Sequence, residues 1–544
     1  MKFLSVCFAN HDSNISYFDG KELHYHKLER TSGYKRDWYT DLWTWIYDVE
    51  KLWGVNVNDV DEIVFQIENS IFQSIEHLVD EETKTSLHSM WRGNSNTVEL
   101  GPEFKQLTGI DKNIYAISHY YAHALSTHVM TDTKPDVYIA IDAYGDWIRS
   151  WSVFRDDKLI DMGLFNEGSL GVCINDMGAA LGIKHVYSVD IAGKLMGLQS
   201  YGHLDQAYLN LSKDYEMKDV CEFYSYERYC QYKGDVLVTN LSMLDWARTI
   251  HEQTSGLLVK FFKKYANHDD VVFYSGGVAQ NVIWNTELRK HFPKLVIPPH
   301  SNDEGISLGG IEWLRRKNNL PPIRLKNYPY CQSDVAPKSM ISDDKIVLAA
   351  KLLADGKTVG WYQGHGELGP RALGNRSIFM DPRIPNGRAH INEIKMRENY
   401  RPFGASVLKE HLHDYFDADG DDPYMLYTAI VKRKGLESIT HVDGTCRVQT
   451  VDDSNPEFRK LLLEFYKLTG CPVLLNTSLN LAGQSLVGYP EAAIQILADT
   501  KLDSLFVGDQ HYYKDKFVPL TQVENLSEWK QGAKGYLRKN YIAR

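Results

Sequence analysis

The sequence has no CxxC pair, no low-complexity tract, no short-period repeat and no excess of positive charge. Its seven cysteines are an odd number without paired spacing. That argues against a disulfide framework or a thiolate zinc site and points to a reducing, cytoplasmic location. No stretch approaches the roughly 18 consecutive apolar residues that cross a bilayer. Met1–Phe8 starts apolar, but Ser5 interrupts it and Asn10, His11 and Asp12 follow without a cleavage site, so it is not read as a signal peptide. Lys and Arg number 60 against 71 Asp and Glu, a net charge of −11. A generally sticky nucleic-acid or membrane binder is excluded on that balance, whereas a local basic patch is not.

What is present is ordinary for a soluble globular protein: 544 residues, 43% apolar and 24% charged. That length calls for two or more domains, each with its own core. Pro321-Pro322 and the polar run Tyr328–Pro337 mark a linker, so the boundary is expected between about residues 318 and 342.

Two hairpins with acidic tips stand about 130 residues apart in the N-terminal half. Phe3–Phe8 and Ile15–Phe18 flank a polar turn, and Asp136–Ile141 and Trp147–Phe154 flank the turn Asp142–Asp146. They read either as related lobes around a nucleotide cleft or as unrelated hairpins. His119 and His123 lie four apart, which on a helix puts both imidazoles on one face, as two ligands of one metal require. Asp142 ends a buried strand and Asp303 follows another, so two histidines and two carboxylates would suit iron, manganese or zinc. His128 falls off that face and is left out. Val271–Val282 reads as strand, Gly276-Gly277 turn and helix, with free N–H groups expected at the helix start as an anion site, or simply as a tight turn. The glycine-rich Ala192–Gly202, which carries Lys194, is placed in the same cleft.

In the C-terminal half, Asp344–Asp355 reads as a helix, and Thr358–Tyr362 and Ser377–Met380 as strands flanking Gly364–Ser377, a loop with four glycines and two arginines. Between Gly364 and Arg401 stand Arg371, Arg376, Arg383, Arg388, Lys395, Arg397 and Arg401 against Glu367, Asp381, Glu393 and Glu398. In an acidic chain this marks an anion site. Arg447 among small hydroxyl residues, and the amide and hydroxyl cluster Asn476-Thr477-Ser478 after a strand, extend it.

These stretches in this order resemble the O-carbamoyltransferases of the nodulation-factor and antibiotic-tailoring type, including the tobramycin, novobiocin and cephamycin enzymes. The carriers are GELGPRALGNRSI (Gly366–Ile378), INEIKMRENYRPFGASVL (Ile391–Leu408), GTCRVQTV (Gly444–Val451) and CPVLLNTSLN (Cys471–Asn480), with AGKLMGLQSYG, YSGGVAQN and the His119/His123 pair in the first half. The resemblance covers nearly the whole length. It implies an α/β protein with a duplicated actin/sugar-kinase-like domain over 1–325 and a YrdC-like domain over 340–544. The YrdC-like domain would form carbamoyladenylate and pyrophosphate from carbamoyl phosphate and Mg²⁺-ATP. The first would transfer the carbamoyl group to a hydroxyl of a small molecule (a sugar, nucleoside, nucleotide or natural product), aided by a divalent metal, Fe²⁺ or else Mn²⁺ or Zn²⁺. Arg371, Lys395 and Arg401 match adenylate-forming residues; Arg447, Asn476, Thr477 and Ser478 match the carbamoyl phosphate site. His119, His123, Asp142 and Asp303 match metal ligands; Gly276, Gly277, Asn281 and Lys194 match the nucleotide contacts. His11, Asp12 and Lys35 match the acceptor site, with His11 as general base.

The sequence departs from the family pattern at three places. The usual DGxGE turn has Ala143 and Asp146 in place of its Gly and Glu, which puts the contact of that Glu in doubt; His365 and Leu368 replace an Arg and a Phe. Two other readings are carried: a threonylcarbamoyl-type tRNA-modifying transferase, disfavoured because no basic stripe with interleaved aromatics is present, and an inert nucleotide-binding regulatory protein, disfavoured by the full set of charged site residues. No membrane or nucleic-acid partner is expected, and a homodimer is compatible with the sequence.

Overall fold

The computed structural model describes residues 1–514 apart from 42, 186, 212–214 and 235–239; the C-terminal part of the expected second domain, 515–544, lies outside the described residues. It is a mixed α/β structure with three sheets.

The first sheet holds β1 (Phe3–Phe8), β2 (Asn14–Phe18), β3 (Leu23–Lys27), β4 (Glu62–Ile67), β5 (Thr97–Glu99) and β6 (Asn113–Ile117) in the order β3-β2-β1-β4-β6-β5. The second holds β7 (Val137–Gly145), β8 (Arg149–Arg155), β9 (Lys158–Leu164), β10 (Val272–Ser275) and β11 (Leu295–Val296), ordered β9-β8-β7-β10-β11. In each sheet two antiparallel hairpin pairings lead to a central strand, which then pairs in parallel with the next. Order and direction repeat, so the two hairpins read from the sequence are the corresponding parts of a duplicated, actin/sugar-kinase-like topology. β1 and β4 are buried along their whole length, as strands covered on both faces must be. The helices His119–Ser126 and Ile306–Lys317 lie between the sheets, and Leu125, Ile306 and Ile311 share one core with Phe3, Val64, Tyr138 and Phe273.

The third sheet has nine strands: β12 (Val359–Tyr362), β13 (Arg376–Met380), β14 (Gly404–Leu408), β15 (Phe416–Asp417), β16 (Thr428–Val431), β17 (Thr445–Val451), β18 (Val473–Ser478), β19 (Ser504–Val507) and β20 (Gln510–Tyr513). Their order is β15-β16-β17-β14-β18-β13-β12-β19-β20. The amphipathic helices Asp343–Ala354 and Pro456–Thr469 cover it, burying Leu353, Phe458, Leu462 and Phe465 in a separate core.

Between Lys317 and Asp343 no helix or strand occurs among the described residues. The expected linker is nevertheless packed: Leu325 and Gln332 bridge to Leu23 and Tyr25 on β3, and Gln332 is buried. No described helix is long and apolar enough to cross a membrane.

Two fully buried imidazoles set an acid limit on this fold. Burial drives His26 down to about 4 against a hydrogen bond to the Ser333 carbonyl, and drives His251 down to about 3 beside Arg248. Both bind fewer protons folded than unfolded between those values and 6.5, so stability falls as pH drops through that window. The expected loss between pH 7 and pH 5 is about 2 kcal/mol for each. Melting temperature followed by circular dichroism should therefore fall over this range; a flat profile would contradict burial of the neutral rings.

Candidate functional site

A cavity of about 1240 Å³ runs between the first two sheets and the third. Every site residue expected from the sequence lines it except His123 and Gly276, which sit directly behind the wall.

At one end the loop after β6 starts the helix His119–Ser126, and β7 delivers Asp142 opposite it. Asp303 opens the turn leading into Ile306–Lys317. His123 Nε2 lies 3.1 Å from His119 Nε2, 3.2 Å from Asp303 and 3.3 Å from Asp142, and His119 is 3.7 Å from Asp303. All four donor atoms lie within 4.8 Å of one another. Nitrogen donors about 2.1 Å from a common ion stand about 3.0–3.4 Å apart, so these spacings fit one divalent cation. Without one, burial pulls His123 down, but the hydrogen bonds of Asp142 and Asp303 outweigh it and raise it to about 9. Asp303 is driven far below the carboxylate range, burial being overcome by His119, His123 and His11.

The Gly276-Gly277 turn differs from its expected role as a free anion site. It opens a four-residue 3-10 turn, and both amides are engaged: Gly276 N–H donates to the Ser301 carbonyl at 2.7 Å and Gly277 N–H to Asp142 at 2.7 Å. The anion it holds is the protein's own carboxylate. The Asn281 side chain caps Val282–His291 and donates to His251. Lys194 bridges to Glu398 at 2.7 Å, across to the third-sheet unit.

His11 and Asp12 occupy the β1–β2 turn. His11 Nδ1 is 3.0 Å from Asp12 and 3.5 Å from Asp303; burial would lower its pKa, but these carboxylates raise it to about 9. Asp12 also pairs with Arg36 and with the buried Lys27 at 2.6 Å, and Lys27 reaches Glu29 and Glu304 as well. Lys35 pairs with Asp190 at 2.8 Å. Lys27, Glu29, Arg36, Asp190 and Glu304 were not singled out from sequence, because pairs such as Lys35 and Asp190 are 155 residues apart; only the adjacency of Asp190 to Ala192–Gly202 offered a signal.

At the other end, Arg447 on β17 and Asn476 on β18 flank the same residue of β14, Gly404. Lys395 is nearly enclosed, donating to the Ser478 carbonyl, to Ser478 Oγ at 3.0 Å and to Asn480 Oδ1 at 2.6 Å. Arg371 donates to the Gln280 carbonyl at 3.1 Å. Arg397, a further cation on this wall, stacks on Phe403 at 4.4 Å. Burial, then repulsion among Arg371, Arg397, Arg401 and Arg447, holds the pKa values of Arg371, Arg397 and Lys395 well below their usual ranges. Such a concentration of cations is relieved by a polyanion.

The loop before β13 divides its arginines. Arg371 faces the cavity. Arg376 is buried, pairs with Asp334 at 2.8 Å and lies 3.6 Å over Tyr362. The buried Glu367 carboxylate accepts from the backbone N–H groups of Leu373 at 2.8 Å, Asn375 at 2.7 Å and Arg376 at 3.1 Å. Glu367→Ala should leave these donors unsatisfied and destabilise the protein by about 3 kcal/mol in denaturant unfolding.

Comparison with known proteins gives two profile matches: carbamoyltransferase N-terminus over residues 2–311 and carbamoyltransferase C-terminus over residues 350–514. Nodulation protein NolNO of Sinorhizobium fredii is 30% identical over 502 residues, covering 84% of this chain and 72% of its own. The 3'-hydroxymethylcephem-O-carbamoyltransferase of Amycolatopsis lactamdurans is 36% identical over 256 residues, 45% of this chain and 49% of that one.

Proposed function

This chain belongs to the carbamoyltransferase family and is an enzyme that transfers carbamoyl groups; from that premise we propose that it is an ATP-dependent O-carbamoyltransferase with two half-reactions at the two ends of one cavity. The observation that carries this reading is the pairing, on the walls of a single cavity, of a cluster in which arginine and lysine outnumber carboxylates with a two-histidine, two-aspartate cluster.

The third-sheet unit, from residue 340 on, is proposed to make the activated donor. Carbamoyl phosphate, held by Arg447, Asn476, Thr477 and Ser478, is hydrolysed to carbamate and phosphate. A carbamate oxygen then attacks the α-phosphorus of Mg²⁺-bound ATP, giving carbamoyladenylate and pyrophosphate. Arg371, Lys395 and Arg401 neutralise the charge that gathers on the leaving pyrophosphate. Their fixed donors, held before substrate arrives, need no reorganisation as that charge develops.

The unit over residues 1–325 is proposed to transfer the carbamoyl group to a hydroxyl of a small molecule. The hydroxymethyl group in the name of the cephem carbamoyltransferase of Amycolatopsis lactamdurans is one acceptor of that kind. His119, His123, Asp142 and Asp303 would hold a divalent cation, whose charge would polarise the carbonyl or steady the adenylate phosphate; the mixed nitrogen and oxygen donors suit iron, manganese or zinc. In its neutral form, which the surrounding carboxylates make a minor one below about pH 9, His11 takes the acceptor's proton, and Asp12, braced by Lys27 and Arg36, orients its ring. Lys35 and Asp190 face the acceptor, while Lys194, Gly277 and Asn281 line the nucleotide side.

Incubated with carbamoyl phosphate, ATP and Mg²⁺, the protein should release pyrophosphate; formation of ADP alone would refute adenylation. Arg371→Ala should lower pyrophosphate release by about 10²-fold or more. His123→Ala should largely spare that step and abolish transfer, read by mass spectrometry as loss of carbamoyl addition across a panel of hydroxylated sugars and nucleosides. Equal loss of both half-reactions in both variants would refute the division of labour.

A further inference from the structure

The hairpin tip joining β7 to β8 carries more than Asp142. Four residues further on, Asp146 is buried, its side chain 1% exposed, in a left-handed conformation with φ +40°. Its Oδ1 accepts the backbone N–H of His119 at 2.9 Å, and its Oδ2 accepts the Ser118 hydroxyl. The first N–H groups of a helix have no partner within it, and a carboxylate there also meets the positive end of the dipole. Arg149, itself buried and anchored to the carbonyls of Met90 and Trp91, stands 3.5 Å from the same carboxylate. Between Asp142 and Asp146 lies Gly145, where a Cβ would stand 2.5 Å from His119 Cδ2. One five-residue turn thus presents a ligand carboxylate, leaves the space an imidazole occupies, and ties down the backbone of the residue bearing that imidazole.

We propose that Asp146, together with Gly145, is the positioning element of the cation site: it sets His119 against Asp142 without touching the ion. The inference rests on the cation-binding reading of His119, His123, Asp142 and Asp303. Asp146 stands outside that donor cluster, and its carboxylate is fully used by Ser118, His119 and Arg149. The spacing between His119 and Asp142 is therefore set through backbone, by a carboxylate four residues from one ligand and hydrogen-bonded to the main chain of the other. It also gives a physical role to the position where the resembled DGxGE pattern has Glu: a carboxylate is kept, one methylene shorter.

The test is equilibrium binding of Co²⁺ to the full chain, with its visible absorption, alongside melting temperature and pyrophosphate release from ATP and carbamoyl phosphate. Wild type should bind one Co²⁺. Asp146→Asn and Gly145→Ala should weaken binding about 10- to 100-fold, the range found when groups orienting metal ligands are changed. Both should alter the Co²⁺ spectrum and leave pyrophosphate release within about twofold. Asp146→Glu should restore binding and spectrum. Unchanged affinity and spectrum in both Asp146→Asn and Gly145→Ala would overturn the positioning role, and Gly145→Ala decides it if Asp146→Asn does not fold. A purely structural role would lower melting temperature with the spectrum intact, and that result also counts against it. If wild type and His123→Ala bind Co²⁺ equally poorly, the cation reading itself fails, and this inference with it.

Discussion

The closeness of the His365–Ser377 loop to the first unit is the constraint from which the joint cavity follows. Gly369, at φ +92°, lies so near the Pro299 carbonyl that a Cβ would collide with it. The buried Arg30 donates to the Gly369 carbonyl at 3.2 Å, and Leu368 N–H donates to the Pro329 carbonyl at 2.8 Å. Pro299 stands four residues before Asp303. The loop that presents Arg371 is therefore clamped beside the loop that presents a member of the histidine and aspartate cluster. A second set of contacts, from Asn285 and Thr286 to the backbone of Leu426 and Thr428, ties the other flank.

Within this frame, charge is distributed unequally. Around His11 the cations Lys27, Arg36 and Lys35 each have a carboxylate: Lys27 has three, and Arg36 and Lys35 share Asp190. The balance makes that end rigid and leaves little net field. Across the cavity, Arg371 and Arg397 are each repelled by Arg401 and Arg447 in a desolvated wall, and Glu398, 3.8 Å from Arg401, is shared with Lys194. A buried excess of one sign is costly unless a ligand of the opposite sign completes it. The wall thus differs in charge from the opposite end, where cations and carboxylates balance.

Several carboxylates that look available in sequence are structural. Glu367 closes the arginine loop around itself, Asp334 pins Arg376, and Asp146 caps the helix of His119. The same holds for the Gly276-Gly277 amides, which serve Ser301 and Asp142. Loops of this kind keep their shape by binding internal anions first, and only the groups left over face the cavity.

The sequence by itself determined the hairpins, the strand and helix around the arginine loop, and the His119/His123 face, because each follows from local periodicity and turn chemistry over a few residues. Motif order was also enough to point to the family. Local pattern does not separate Arg371 from Arg376, two arginines five residues apart in one glycine-rich loop; the family resemblance singles out Arg371, and the physical reason, that Arg376 is the one that meets Asp334, lies in the tertiary structure. Nor does local pattern join Lys35 to Asp190 or Lys27 to Glu304, or show that the two expected sites open on one cavity. Those pairings are between residues far apart in the chain, and burial and charge balance select them only once the three sheets have packed.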